Sequence, residues 1–260
     1  MTGIARTADG ASLEWEEHGA GEPLLLIAGQ GVSRRTWDLV IPSLASSFRV
    51  VSYDHRGIGP STLGETPVWT TRALASDAVS VLDAAGAVHA HIVGHSMGGR
   101  IAQWLAIDHA ERVGTLSLVS STGGDARGHA RPAHATAALA AGDPATLGPY
   151  FFGDAFRAEH PEVLGMLGRS DAPIRARRGH FQASSTHDAW DDLARISAPT
   201  LVVHGADDEI TPVANGRDLA ERIRGASFLE VAGGHGIHLE SPTVRDAIVA
   251  FAHAHPLPGP

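Results

Sequence analysis

Apolar and polar positions along this chain fall into two alternating patterns. Continuous apolar runs, at residues 24–28, 115–119 and 200–204, read as strands buried on both faces. Residues 48–53, 91–94 and 227–231 read as further strands, and 12–17, which alternates apolar with polar, as a half-exposed one. Between them apolar residues recur at helical spacing, at Leu74, Ala78, Val81, Leu82 and Ala85, and again at Ile101, Ala102, Leu105 and Ala106 within 97–108. Residues 34–46 support another helix. Thr211-Pro212 and Ser241-Pro242 supply a cap and a first-turn proline for two more, the first running to Ile223.

Strands that alternate with helices predict the α/β class: a mostly parallel, doubly wound sheet, helices on both faces, and ligands outside the carboxyl ends of the strands. The rhythm fails over residues 122–192, where Gly, Ala, Pro and His predominate around Tyr150, Phe151, Phe152 and Phe156 and the arginines 169, 175, 177 and 178. A structureless loop of that length does not suit a compact domain. The expectation is a helical cap insertion at 122–192, set into a core formed by 1–121 and 193–260. Its aromatics are expected to pack among themselves and its arginines to face solvent. The Pro-rich tail after His255 is expected to fray.

Length and composition narrow this picture. A chain of 260 residues with 43% hydrophobic and 19% charged residues suits one large domain with a substantial core, and no apolar run approaches the roughly 18 residues of a membrane span. The formal charge of -9 disfavours a nucleic-acid partner. No cysteine is present, which removes disulfides, thiolate catalysis and Cys-ligated metal; the first residues lack a basic-then-apolar leader, so a cytoplasmic protein is the default expectation. All 20 cationic residues are arginine, so a Schiff-base or Ser-Lys mechanism has no lysine to use.

The chemistry gathers at the predicted strand ends. In Gly94-His95-Ser96-Met97-Gly98 a serine stands between glycines where strand gives way to helix, the spacing of a nucleophile elbow. A serine hydroxyl needs a neutral imidazole to take its proton and a carboxylate to orient that imidazole. Both types follow later strands, in Gly205-Ala206-Asp207-Asp208-Glu209 and Gly233-Gly234-His235-Gly236-Ile237-His238. Asp208 is preferred as the acid because it lies further past the strand end, with Asp207 or Glu209 as the fallback. His235 is preferred to His238 because glycine neighbours leave an open approach. His95 should leave its strand on the face opposite Ser96. Backbone amides of Gln30, in Gly29-Gln30-Gly31, and of Met97 are the candidate oxyanion donors. His55 and Arg56 are read as bracing their loop through hydrogen bonds rather than touching substrate. His89 and His91 share a strand face but lack a clear third ligand, so no metal or other cofactor is expected.

Taken together, Tyr53-Asp54-His55-Arg56-Gly57-Ile58-Gly59, the elbow, residues 106–113, residues 199–208 and Gly234-His235 with Glu240 and Pro242 resemble the α/β-hydrolase superfamily. Within it, the chain resembles the small esterase and lactonase branch, of the 3-oxoadipate enol-lactonase and aclacinomycin methylesterase kind. The resemblance implies Asp208 as the acid, third after the glycine of its strand, and His235 as the base. It also implies a serine hydrolase acting on a small-molecule ester or lactone. The branch often carries His-Gly at the oxyanion loop, where this chain has Ala28-Gly29. Relatives that cleave halides or epoxides place an aspartate at the elbow, which the serine here disfavours. Perhydrolysis, C–C bond hydrolysis, or a non-hydrolytic use of the fold as a lyase, cyclase or ligand sensor are the alternative readings.

Overall fold

The computed structural model describes residues 1–167 and 172–258. Its centre is an eight-stranded sheet of β1 (Thr2–Arg6), β2 (Ser12–His18), β3 (Pro23–Ile27), β4 (Arg49–Tyr53), β5 (Ala90–His95), β6 (Val113–Val119), β7 (Thr200–Gly205) and β8 (Ser227–Val231). The strands lie in the order β1-β2-β4-β3-β5-β6-β7-β8; β1, β2 and β4 pair antiparallel and the remaining neighbours parallel. This is the α/β-hydrolase fold, and strand β1 is the one the apolar pattern does not announce. It buries only Ala5 fully.

Continuous apolar runs are required because both faces of the central strands are covered. Leu25, Ile27, Ile92 and Leu116 face α2 (Thr71–Ala84) and α3 (Met97–Asp108) through Leu74, Val81, Ile101 and Leu105. Leu24, Leu26, Val50, Val93 and Val203 turn to the other side, where Trp37 and α9 (Pro242–His253) close over them through Val244 and Ile248. Neighbours along one strand therefore go to different layers, the period-2 consequence of the pleat.

The helix expected over residues 34–46 is two pieces, a 3-10 turn at Arg34–Trp37 and the short α1 (Ile41–Leu44). Pro42 has no amide to donate and tolerates only the first turn of a helix, so the second piece starts beside it. Thr211 is not the cap of α8 (Val213–Arg222); Pro212 occupies that position, and the Thr211 backbone is drawn into the preceding loop instead. The tail also departs from expectation. Leu257 donates its amide to Glu22 at 2.9 Å, and its side chain lies over Gly114, where a Cβ would come within 2.0 Å of it.

Between β6 and β7 run α4 (Ala133–Ala141), α5 (Pro144–Phe151), α6 (Asp154–Glu159) and α7 (Ile174–Ser185), with a 3-10 segment at Pro161–Met166. The two ends of this stretch meet: Gly124 bridges Asp188, and the Trp190 indole N–H donates to the Gly124 carbonyl at 3.0 Å. Arg169 lies outside the described residues. Among those described, no helix is long and apolar enough to cross a membrane.

Buried histidines fasten these layers. His180 on α7 donates to the Arg56 carbonyl at 3.1 Å, and His187 bridges Thr71 and Gln103 at 2.8 and 3.2 Å. Burial pushes His180 down to about 3 and holds His55, His91 and His187 below the ordinary imidazole value; His95 and His238, described below, behave alike. The unfolded chain would protonate all six near pH 6.5, whereas the folded chain would protonate each only below that, His95 and His180 at about 3. Between those values the unfolded state binds more protons, so this stability is complete above about pH 6.5 and lost as pH falls toward 3. Asp77 and Asp38, both raised by burial, act in the opposite direction but are two groups against six. His95 and His180 would each contribute about 1.4 kcal/mol per pH unit in that window, with the other four acting in the same direction, against a total stability of roughly 5–15 kcal/mol. The protein is expected to unfold between about pH 6 and pH 4 in a tryptophan-fluorescence titration. A native spectrum retained to about pH 3.5 would refute this.

Candidate active site

Strand β5 ends at His95, α3 begins at Met97, and Ser96 between them adopts φ 57° and ψ -118°. A non-glycine residue reaches that region at a cost of order 1–3 kcal/mol, so the surroundings must enforce it. They do so by close approach. A Cβ on Gly98 would stand 2.1 Å from the Ile27 carbonyl oxygen, and one on Gly94 2.4 Å from that of Gly98. Both glycines are thus needed for β3, β5 and α3 to converge, and the Ser96 amide is pinned to the Val119 carbonyl at 2.9 Å.

Two loops from the far side of the sheet meet the serine. After β7, Asp208 Oδ1 accepts the amides of Ile210 and Thr211 at 2.9 and 2.8 Å, which folds the loop back and aims Oδ2 at His235. After β8, the amides of His235 and Gly236 donate at 2.9 Å each to the carbonyls of Tyr150 and Phe151, so the end of α5 sets the height of the imidazole. His235 Nδ1 donates to Asp208 Oδ2 at 2.8 Å, and its Nε2 lies 3.0 Å from Ser96 Oγ, placed to accept that hydroxyl's proton. His235 and Asp208 are buried, and Ser96 is half-buried at the cavity floor. Burial resists ionisation of Asp208, but His235 beside it and hydrogen-bonded to it, with His204 Nε2 at 3.4 Å, prevails and holds its carboxyl well below the usual range.

The alternatives weighed in sequence are engaged elsewhere. Asp207 is exposed and accepts the Gly233 amide at 3.2 Å, and Glu209 pairs with His134. His238 packs at a tilt against His95 at 4.1 Å between ring centroids and against Trp37 at 4.7 Å. His95 does not turn away from the serine's neighbourhood as expected. Its Nε2 donates to the His235 carbonyl at 2.9 Å, and burial followed by repulsion from His235 pushes it down to about 3. A neutral ring thus backs the His235 loop. His55 donates to the Ala28 carbonyl at 3.0 Å, and Arg56 reaches Asp77 and Asp9 at 2.7 Å each, both as braces. His91 spends its nitrogens on Thr115 and Glu22 at 2.9 and 3.1 Å, and His89 donates to the Glu111 carbonyl at 2.6 Å. Among the described residues no three acidic or histidine side chains gather to hold a metal.

A cavity of about 520 Å³ opens over Ser96. Gly29, Gln30 and Gly31 form one wall, and among the described residues neither the Gln30 nor the Met97 amide has a protein acceptor. Most of the remaining wall is apolar, from Val32, Leu139, Leu147, Phe151, Phe152 and Met166. Phe151 stands edge-on to His235 at 5.0 Å, so it and Phe152 are cavity wall and not only packing of their own segment. Arg100, Arg131 and Arg177 also line it. Of the arginines expected to face solvent, Arg175 and Arg178 are exposed and Arg177 is not. Its spacing with Phe181 on α7, one helical turn on, was the available signal, since both reach the cavity.

Residues 22–242 match the model of a family described as alpha/beta hydrolase fold. The chain is 34% identical to "Putative carbamate hydrolase RutD" of Caulobacter sp. (strain K31), an alignment covering 94% of this chain and 95% of that one. It is 30% identical to 3-oxoadipate enol-lactonase 1 of Acinetobacter baylyi, over 82% of this chain and 81% of the relative. Among solved structures, a hydrolase from Pseudomonas aeruginosa superposes with a TM-score of 0.81 at 30% identity, covering 96% of this chain and 97% of the other.

Proposed function

This chain belongs to the alpha/beta hydrolase fold family, and from that premise we propose that it is a serine hydrolase that cleaves small carboxylic esters or lactones through an acyl-enzyme. One observation carries the reading: His235 stands between Asp208 and Ser96 at 2.8 and 3.0 Å, with its two ring nitrogens turned to the two partners. In the first half-reaction Ser96 Oγ bonds to the substrate carbonyl carbon as its proton passes to His235 Nε2. The carbonyl oxygen becomes an oxyanion held by the amides of Gln30 and Met97. Collapse breaks the carbon–oxygen bond, and the leaving alkoxide takes the proton from His235. Water then attacks the acyl-enzyme, giving its proton to His235, and expulsion of Ser96 releases the acid.

Asp208 fixes the proton on Nδ1, leaving Nε2 free to act as base, and stabilises the imidazolium formed midway. Residues 122–192 act as the cap that walls the reaction from solvent and selects the acyl and alcohol groups. The likeness to an enol-lactonase supports ester or lactone cleavage. The relative named as a carbamate hydrolase favours a second reading, attack on a carbamate carbonyl by the same groups.

A fluorophosphonate probe is expected to label the protein once, with the added mass on the tryptic peptide that contains Ser96. Labelling elsewhere, or none, would defeat the assignment. Comparing kcat/KM across a short-chain aryl ester, a lactone and an aryl carbamate separates the two readings.

A further inference from the structure

The cavity wall carries more positive charge than its own residues neutralise. Arg100, Arg131 and Arg177 face it, against a single carboxylate, Asp125. That carboxylate is taken: Arg100 holds Asp125 at 2.7 Å and also donates to the Ser184 carbonyl. Arg131 has one partner, the Ile210 carbonyl, to which its Nε donates at 2.6 Å. This leaves its terminal nitrogens free of any acid. Among the described residues Arg177 has none, and its Nε is buried without a hydrogen-bond partner. Among the described residues, neither guanidinium has a carboxylate within 4.0 Å. A half-buried cation without a counter-charge costs stability unless something else supplies one. In a chain of formal charge -9, acids are plentiful, yet among the described residues none reaches these two.

We infer that Arg131 and Arg177 form an anion subsite, and that the substrate carries a carboxylate remote from the carbonyl that Ser96 attacks. This rests on the hydrolase reading above. The placement fits a bifunctional molecule. Arg177 stands on α7 and Arg131 just before α4, both in the segment between β6 and β7, whereas Ser96 belongs to the sheet. One end of the substrate would meet the elbow and the other the two guanidiniums, whose planar forks suit a carboxylate. The apolar wall between them would take a short hydrocarbon linker. Arg131 rests on Ile210, two residues beyond Asp208, so its anchorage shares the loop that carries the acid.

The test compares the mono-4-nitrophenyl ester of glutaric acid with the same ester capped as its methyl ester, which removes the negative charge at the cost of one added methyl group. Wild type is expected to prefer the anionic ester by roughly 10- to 100-fold in kcat/KM, and Arg131→Gln or Arg177→Gln to lower that ratio by about 10-fold each. Arg177→Lys should recover part of it. Free glutarate should inhibit hydrolysis of the neutral ester more strongly than inorganic phosphate; the reverse order would overturn the carboxylate assignment. A wild-type ratio of one or less, or a ratio that neither glutamine variant changes, would overturn the subsite while leaving the hydrolase reading intact. If neither ester were cleaved, the hydrolase reading would fail. Calorimetric titration of glutarate into Ser96→Ala, with and without Arg177→Gln, would then decide the subsite by binding alone, and equal binding by both would reject it.

Discussion

Ser96→Ala is expected to lower kcat for a short-chain aryl ester by on the order of 10⁶, with the fold intact. The substitution removes the oxygen that forms the acyl bond and leaves everything that holds the site together. The Ser96 amide and carbonyl keep their partners, Val119 and the Ser121 hydroxyl, and alanine faces the same positive φ that serine already endures. What survives is ester binding in the cavity beside the Gln30 and Met97 amides, which by analogy retains roughly 10³- to 10⁴-fold over water. His235→Ala should cost about as much, and the double variant scarcely more, because a nucleophile without its base and a base without its nucleophile do the same nothing. Burst titration of the acyl-enzyme, alongside circular dichroism to check the fold, reads this directly. A Ser96→Ala rate within about tenfold of wild type would show that esterolysis arises elsewhere.

Much of this was legible in the chain because buried parallel strands leave a plain trace. The runs at 24–28, 115–119 and 200–204 became β3, β6 and β7, since residues facing both layers must all be apolar. Strand β1 was not legible because an edge strand with one fully buried side chain carries no such run. Ser96, Asp208 and His235 could be picked out because the strands that deliver them were themselves visible, and each follows a strand's carboxyl end. Their meeting is fixed by contacts that no local pattern encodes, such as the hold of Tyr150 and Phe151 on the His235 loop, across more than eighty residues of chain. For the same reason Arg177 departs from the expected solvent exposure, whereas Arg175 and Arg178 meet it. Whether Arg177 meets water or a cavity depends on where α7 docks, and that is set by tertiary partners such as His180 and Arg56.

Asp208→Asn and Asp207→Asn, adjacent and chemically identical substitutions, should differ by several orders of magnitude. Asp208→Asn is expected to lower kcat by roughly 10⁴. Its Oδ1 position can still accept the Ile210 and Thr211 amides, so the loop keeps its shape. The other position is where the charge matters. An amide there can present its NH₂ to His235 Nδ1, which favours the tautomer with its proton on Nε2 and removes the lone pair that should accept from Ser96. It also strips the counter-charge from a buried imidazolium. His204, whose Nε2 lies 3.4 Å from Asp208 Oδ2, cannot substitute, because its N–H already serves the Thr211 carbonyl at 2.7 Å. Asp207→Asn touches none of this: the side chain is exposed and its one bond, from the Gly233 amide, can be made by an asparagine oxygen. A change of less than about threefold is expected there, since surface substitutions seldom move stability by more than about 0.5 kcal/mol. Steady-state rates from about pH 7 to 9, above the acid-unfolding range, provide the comparison. A larger loss at Asp207 would transfer the acid's role to that residue and require the β7 loop to rearrange before catalysis.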